Sequence, residues 1–536
     1  MEDKHMKKII LPILLAVFAL GACTNDFAWR NTNPEQASDD MLDHDGLRTG
    51  AILAQMMANV IPSYQLSDNE EYGSANYQVA QGLNGNIFAN YEAASNSGFS
   101  QNNVYNLNPD GWSKAMFNDA YTRAIGPWVR LNEMRADAPE MAALADILKV
   151  AVLSRVTDVY GPIPYAQLSG GSLTVAYDSQ EAVYSMMFEE LGNAIDLLTA
   201  SPSTVFAPIA SFDRVFYGDA TKWIQFANTL RLRLATRVAY ADETLYQTEA
   251  AAAIANEKGF LAEDAMLHKG SGAWENPIYV IEYNFNDGDA KAGATIITYM
   301  NGYQDPRISA YFTAGSDGTF NGVRMGATIS QDYPKSGLWS KIKCTKDDPI
   351  LWMSGAEAQF LLAEYYLRAG SETEAQACYE AGIAKSFDIW GVSGADAYIA
   401  AADRTVGAYT DPVTSGNSYN TELTAVSIAW SSQTEFEGHL EQIITQKYLA
   451  CFPEGEEAWA EFRRTGYPKV IPTRTNNSGG RINTDLQVRR LPYPQTEYQA
   501  NGDNVRAAVT VLTSEAKNGG ADNGGTRVWW DKNARF

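Results

Sequence analysis

Carboxylates, histidines and aromatic rings are the residues of this chain with the most chemistry to offer, and their spacing favours binding over catalysis. Three acidic pairs stand side by side, Glu189/Glu190, Asp347/Asp348 and Glu456/Glu457. Acid–base hydrolysis of a glycoside needs two carboxyl groups placed across a sugar ring. Neighbours in sequence point in different directions on a helix, so solvated faces of an acidic protein are the expectation for all three pairs. His5, His44, His268 and His439 have no partner at i, i+4 and no cysteine close by, and the spacing of a local zinc site is missing. No G-x-S-x-G elbow, GxxxxGK loop or G-x-G-x-x-G turn occurs. Asn286-Asp287-Gly288-Asp289 lacks the ligand ladder of an EF-hand and reads as a turn. No catalytic residue, metal or cofactor is therefore assigned. Aromatics are abundant instead: 29 Tyr, 12 Trp and 20 Phe, many in Gly/Asn/Ser-rich stretches where helix packing does not account for them.

One further residue carries chemistry, at the start of the chain. Lys7 and Lys8 precede an apolar run over residues 9–19, interrupted only by Pro12, and Leu20-Gly21-Ala22-Cys23 follows. This is the pattern of a bacterial lipobox, with residues 1–22 removed and Cys23 acylated. The run is much shorter than the ~20 residues that cross a bilayer as a helix. Anchoring would fall to lipid chains, each methylene contributing roughly 0.8 kcal/mol. Three cysteines remain (Cys344, Cys378 and Cys451), too few for a disulfide framework. A net charge of −23 excludes nucleic acid and anionic headgroups as partners, since both demand a basic footprint.

Helices must position these groups. Apolar residues recur at helical spacing over residues 43–60, 112–135, 141–159, 180–198 and 219–240, the last with Asp219 as its N-cap and Arg231, Arg233 and Arg237 away from its apolar stripe. Tyr160-Gly161-Pro162-Ile163-Pro164 ends the third. Residues 61–110 read as loops or short helices near a surface, 259–345 as loops with a short strand near 278–283, and the C-terminal tail as irregular. Helix returns over 354–368 and 372–387, where Leu362, Ala363, Tyr366, Ala375, Tyr379 and Gly382 match the positions of a tetratricopeptide unit. One such unit cannot bury both its faces, so the other hairpins are expected to stack on it. Further helices are expected at 435–450 and 456–464.

Several strings together resemble the SusD/RagB family of outer-membrane lipoproteins: Tyr217-Gly218-Asp219 leading to Phe226-Ala227-Asn228-Thr229-Leu230-Arg231, Thr157-Asp158-Val159-Tyr160-Gly161-Pro162-Ile163-Pro164-Tyr165, and Asp305-Pro306-Arg307. Gly455-Glu456-Glu457-Ala458-Trp459 with Phe462-Arg463-Arg464-Thr465-Gly466, Arg489-Arg490-Leu491-Pro492-Tyr493-Pro494 and Thr526-Arg527-Val528-Trp529-Trp530 extend it to the C-terminus. The resemblance implies a mainly α SusD-like fold, with tetratricopeptide-type hairpins at about 112–260 and 350–390 and an irregular, loop-rich ligand-binding lobe, residues 23–536 forming one unit. It implies a lipid-anchored, surface-exposed protein of the outer membrane that captures oligosaccharide for a TonB-dependent, SusC-like transporter. A RagB-type oligopeptide binder is the alternative, a surface glycoside hydrolase a more distant one. Trp223, Phe226, Trp459 and Phe462 lie at helical spacing and are assigned to the core.

If the ligand is a sugar, aromatic rings meet its C–H face and amides its hydroxyl rim. The candidates are the loop aromatics Tyr72, Tyr77, Tyr91, Trp274, Tyr279 and Tyr283, with Asn276 and Asn284 as polar contacts.

Overall fold

Pro139 opens a 22-residue helix and Gly161 closes it, with φ at +86° and its N–H on the Thr157 carbonyl. The computed structural model describes residues 46–62, 77–172, 174–270, 274–284 and 290–535. Cys23, Tyr72 and the Asn286–Asp289 string lie outside the described residues. The principal helices are α1 (Leu47–Met57), α2 (Gly126–Glu133), α3 (Pro139–Tyr160), α4 (Gln180–Ala200), α5 (Ala220–Val238), α6 (Glu243–Ile254) and α7 (Ala294–Gly302). After them come α8 (Gly355–Arg368), α9 (Glu372–Ile389), α10 (Phe436–Ala450), α11 (Gly455–Thr465) and α12 (Gly502–Glu515). Three two-stranded antiparallel ribbons complete the described residues: β1 (Glu92–Ala94) with β3 (Ala290–Ala292), β2 (Ala265–Leu267) with β6 (Ile350–Met353), and β4 (Phe312–Thr313) with β5 (Lys341–Ile342). No helix among the described residues is long and apolar enough to cross a membrane.

Side-chain caps fix several starts. Ser179, Asp219, Asp242 and Ser354 accept hydrogen bonds from Ala182, Lys222, Leu245 and Ala356 backbone N–H groups, at the heads of α4, α5, α6 and α8. Consecutive pairs α3/α4, α5/α6 and α8/α9 form hairpins, and α4 on α5 and α5 on α8 stack them side by side. In α8/α9, Ala363, Ala375 and Tyr379 are fully buried, while Leu362 and Tyr366 are half-buried. Gly382 faces the Phe360 ring, where an added Cβ would lie 2.8 Å from Phe360 Cζ. The small residue of the repeat is thus a contact requirement.

Four expectations need correction. The pattern over 112–135 is not one helix: a π-helical turn (Ala120–Ile125) interrupts it just before α2. Pro127 lacks an N–H and its ring would meet the carbonyl four residues back, which a wider turn relieves. Residues 278–283 are helical (Pro277–Tyr279, then Val280–Asn284), because Asn276 caps the Ile278 and Tyr279 N–H groups and Pro277 suits a first turn. Residues 77–95 are interior, not surface, whereas 96–110 are short turns near the surface as expected. Gly85 and Gly455 let Gln78–Asn86 approach α11 so closely that a Cβ on either would sit 2.5 Å from Glu456 Cγ or 2.4 Å from Asn86 Oδ1. The C-terminal tail contains α12, held by Val505, Ala508 and Leu512 on one face.

Glu456 and Glu457 are also not solvated. They are 5 % and 6 % exposed, inside an ion-pair network joining α3, α5, α8, α10 and α11. Arg237 pairs with Glu457, with Glu461 at 2.6 Å and with Asp158 at 3.3 Å, while Lys447 reaches Glu457 at 2.7 Å. Arg464 grips Glu364 through two bonds of 2.7 and 2.6 Å, and Arg233 grips Glu357 through 2.7 and 2.5 Å. Trp223, Phe226, Trp459 and Phe462 are core residues, as their spacing predicts.

Candidate functional site

The β2/β6 ribbon, with Leu267 opposite Ile350, forms one wall of a cleft of about 220 Å³. Its other walls come from the capped turn at Asn276 and Ile278, from Ile342 on β5, from Ile389 and Trp390 at the end of α9, and from residues 452–454 between α10 and α11. Tyr77 closes one end. Apolar side chains therefore converge from segments far apart in sequence.

The polar groups of the cleft are committed to the protein itself. Asn276 Oδ1 accepts from Ile278 N at 2.8 Å and Tyr279 N at 3.2 Å, and its Nδ2 donates to the Asp348 and Pro349 carbonyls. Gln81 donates to Glu454 at 3.2 Å and accepts from Arg155 at 2.6 Å. Glu454 pairs with Arg155 at 2.5 Å. Asp348 accepts from Thr345 N and Oγ1, and Asp264 from Gly355 N at 2.8 Å. Burial lifts the Asp264 carboxyl above its ordinary pKa, and burial likewise raises the Cys344 thiol.

Beside the cleft, next to its lining residues Ile278 and Ile342, lies an aromatic surface. Tyr279 and Tyr283 stack with ring centres 5.3 Å apart and planes 30° from parallel. A helical turn presents both rings because they are four residues apart. Tyr283 is 36 % exposed, its hydroxyl donates to the Ile342 carbonyl at 2.7 Å, and Lys341 Nζ stands 5.6 Å from its ring centre. Partial burial pushes its phenol up to about 12. Asn284 follows, exposed, at the end of the same turn.

The sequence candidates separate accordingly. Tyr77 and Asn276 line the cleft, but Tyr77 is 3 % exposed and Asn276 is spent on its cap, so both shape the wall. Asn276 as a ligand contact is corrected to a structural role. Tyr91 is corrected to core: fully buried, it donates to the Tyr448 carbonyl and packs against Tyr448 and Phe452. Trp274 is half-buried under the Arg214 guanidinium, 4.9 Å from its ring centre. Sequence reasoning missed Tyr217, 61 % exposed beside His268 at 5.7 Å. Its φ of +54° is held by Asp213, which accepts from Val215, Phe216 and Gly218 N–H groups. The Ile342, Ile350, Ile389 and Trp390 walls were also missed, and nothing local in the sequence marks them. Among the described residues no three metal-ligating side chains cluster.

A family profile described as SusD-like, "Susd and RagB outer membrane lipoprotein", matches residues 30–531. No curated protein matches the chain. Among solved structures, a chitin-binding SusD homologue from Flavobacterium johnsoniae is 37 % identical, with a TM-score of 0.82 over 91 % of this chain and 99 % of its own. A SusD homologue from Bacteroides uniformis is 34 % identical, with a TM-score of 0.81, covering 90 % and 99 %. Another from Bacteroides thetaiotaomicron is 34 % identical at a TM-score of 0.81, covering 91 % and 99 %.

Proposed function

Because this chain belongs to the SusD-like family of outer-membrane lipoproteins, we propose that it captures oligosaccharides at the outer cell surface for a TonB-dependent, SusC-like transporter. Acyl chains on Cys23 hold it there, and residues 23–536 work as one unit. The observation that carries the reading is the stacked Tyr279–Tyr283 pair at the edge of an apolar cleft. Paired rings meet the C–H faces of sugar residues, and the Lys341 ammonium and the Asn284 amide supply polar groups at the same edge. A homologue 37 % identical binds chitin, which supports a glycan ligand.

The protein holds its ligand without cleaving it. The carboxyl groups lining the cleft, Asp264, Asp348 and Glu454, are each tied to backbone or side-chain donors, so none is disposed as a free acid–base partner across a bound sugar.

Affinity electrophoresis through gels containing candidate polysaccharides, with analysis of the saccharide afterwards, tests this reading. Retarded migration with unchanged saccharide is expected. Turnover that disappears on substitution of one carboxylate would replace capture with hydrolysis. Labelling with a fatty-acid probe and co-purification of a barrel protein from outer membranes test the anchor and the partner.

A further inference from the structure

The cleft is less than the roughly 300–1,000 Å³ of sites that enclose a whole small ligand. It is therefore sized for part of a ligand, while the rest lies outside on the tyrosine pair. Its walls are the side chains of Met266, Ile278, Ile342, Ile350, Trp390 and Phe452. Its buried and half-buried polar members already have partners, Asn276, Asp264, Asp348, Gln81 and Glu454 as described, while the Lys343 ammonium lies exposed at the rim and donates to the Ser309 carbonyl at 3.0 Å. A sugar hydroxyl entering the space between these apolar walls, away from the Lys343 rim, would lose water without gaining a partner, which is unfavourable. A methyl group would lose only unfavourable hydration, the carbonyl that carries it staying at the open mouth in water.

We infer that the cleft beside Tyr279 and Tyr283 receives the acetyl group of an acetylated sugar, so that the protein selects acetylated over unsubstituted glycans. This rests on the glycan-capture reading above. The sugar ring lies on the tyrosine pair, and the substituent enters the cleft beside Ile342, which lines it and whose carbonyl accepts from the Tyr283 hydroxyl. N-acetyl and O-acetyl substituents share the chemistry the cleft recognises, and the experiment separates them. One methyl in an apolar pocket discriminates by about 10- to 200-fold.

The test is calorimetric titration of the full-length mature chain with two matched pairs. One is chito-oligosaccharide against cello-oligosaccharide, which differ at the 2-position. The other is O-acetylated against deacetylated xylo-oligosaccharide. At least 10-fold tighter binding of the acetylated member is expected in one pair or both, the pair identifying the source of the acetyl group. Ile278→Asn, at a half-buried wall position, should abolish the preference, read as the ratio of the two affinities within each pair. Ile389→Ser, at the exposed rim, gives a second variant should the first fail to fold. Equal affinity within both pairs overturns the inference and leaves glycan capture standing, as does a preference that survives both wall substitutions. Binding of none of the four sugars overturns the inference, and the capture reading falls with it where no polysaccharide gel retards the protein either. So does tighter binding of a leucine-containing peptide than of any sugar, which would assign the cleft to an apolar side chain.

Discussion

Glu282 lies against Glu92 in the interior behind the tyrosine pair, the two carboxyl groups being 1 % and 6 % exposed. They share a small void with Tyr77 and Ile278, both of which also line the cleft. Burial drives Glu282 well above the ordinary carboxylate pKa, and the adjacent Glu92 adds to this against the opposing charges of Lys291 and Lys341. Burial likewise lifts Glu92 to about 7, opposed by the Asn86 hydrogen bond, by contact with Glu282 and by Lys291. Both groups are raised, so the folded chain favours their protonated forms. Stability from the pair is fully present below about pH 4.5 and is lost as pH rises through about 7. Glu92→Gln should reduce the fall in thermal midpoint between pH 5 and pH 8, corresponding to on the order of 3 kcal/mol at most. Parallel profiles for variant and parent would show that the pair does not titrate in this range.

The Arg464–Glu364 pair makes a separate prediction. Both groups are buried and joined by two hydrogen bonds. Arg464→Met removes one of the cations of Glu364, which keeps Arg368, and of Glu461, which keeps Arg237, and a loss of about 3 kcal/mol is expected in urea unfolding. The Arg464→Met/Glu364→Leu double variant should recover part of it. No recovery would mean that packing, and not the stranded charge, accounts for the loss.

Gly382→Ala should cost about 1–3 kcal/mol by crowding the Phe360 ring. Adding Phe360→Leu should relieve it. Additive losses in thermal unfolding would contradict the direct contact.

Tyr91→Phe removes a buried hydroxyl that donates to the Tyr448 carbonyl. A loss of about 0.5–1.5 kcal/mol of stability is expected, with ligand affinity unchanged. A drop in affinity at unchanged stability would return Tyr91 to the site.

Legibility followed the range of the interactions. The helices α3, α4, α5, α8 and α9 were readable because 3.6-residue periodicity, Asp219 as a cap and the Gly161-Pro162 stop are local signals. The helix at 277–284 was not, because Ile278, Val280 and Ile281 imitate a strand while the decisive factor is one capping amide on Asn276. Tyr91 and Tyr283 both sit in polar stretches of sequence, and only the long-range approach of Tyr448 and Phe452 separates core from surface. Glu456 and Glu457 looked solvated because their cations, Arg155, Arg233, Arg237 and Lys447, come from three other helices. The cleft is the extreme case: its walls, from Tyr77 to Phe452, meet only after distant segments have folded.

Calorimetric titration of the parent chain and of Tyr283→Ala with one oligosaccharide that retards the protein in a gel is the most direct test. Saturable binding by the parent is expected, weakened roughly 10-fold or more in Tyr283→Ala with the thermal midpoint unchanged. Identical affinity of the two proteins would contradict capture on the tyrosine pair.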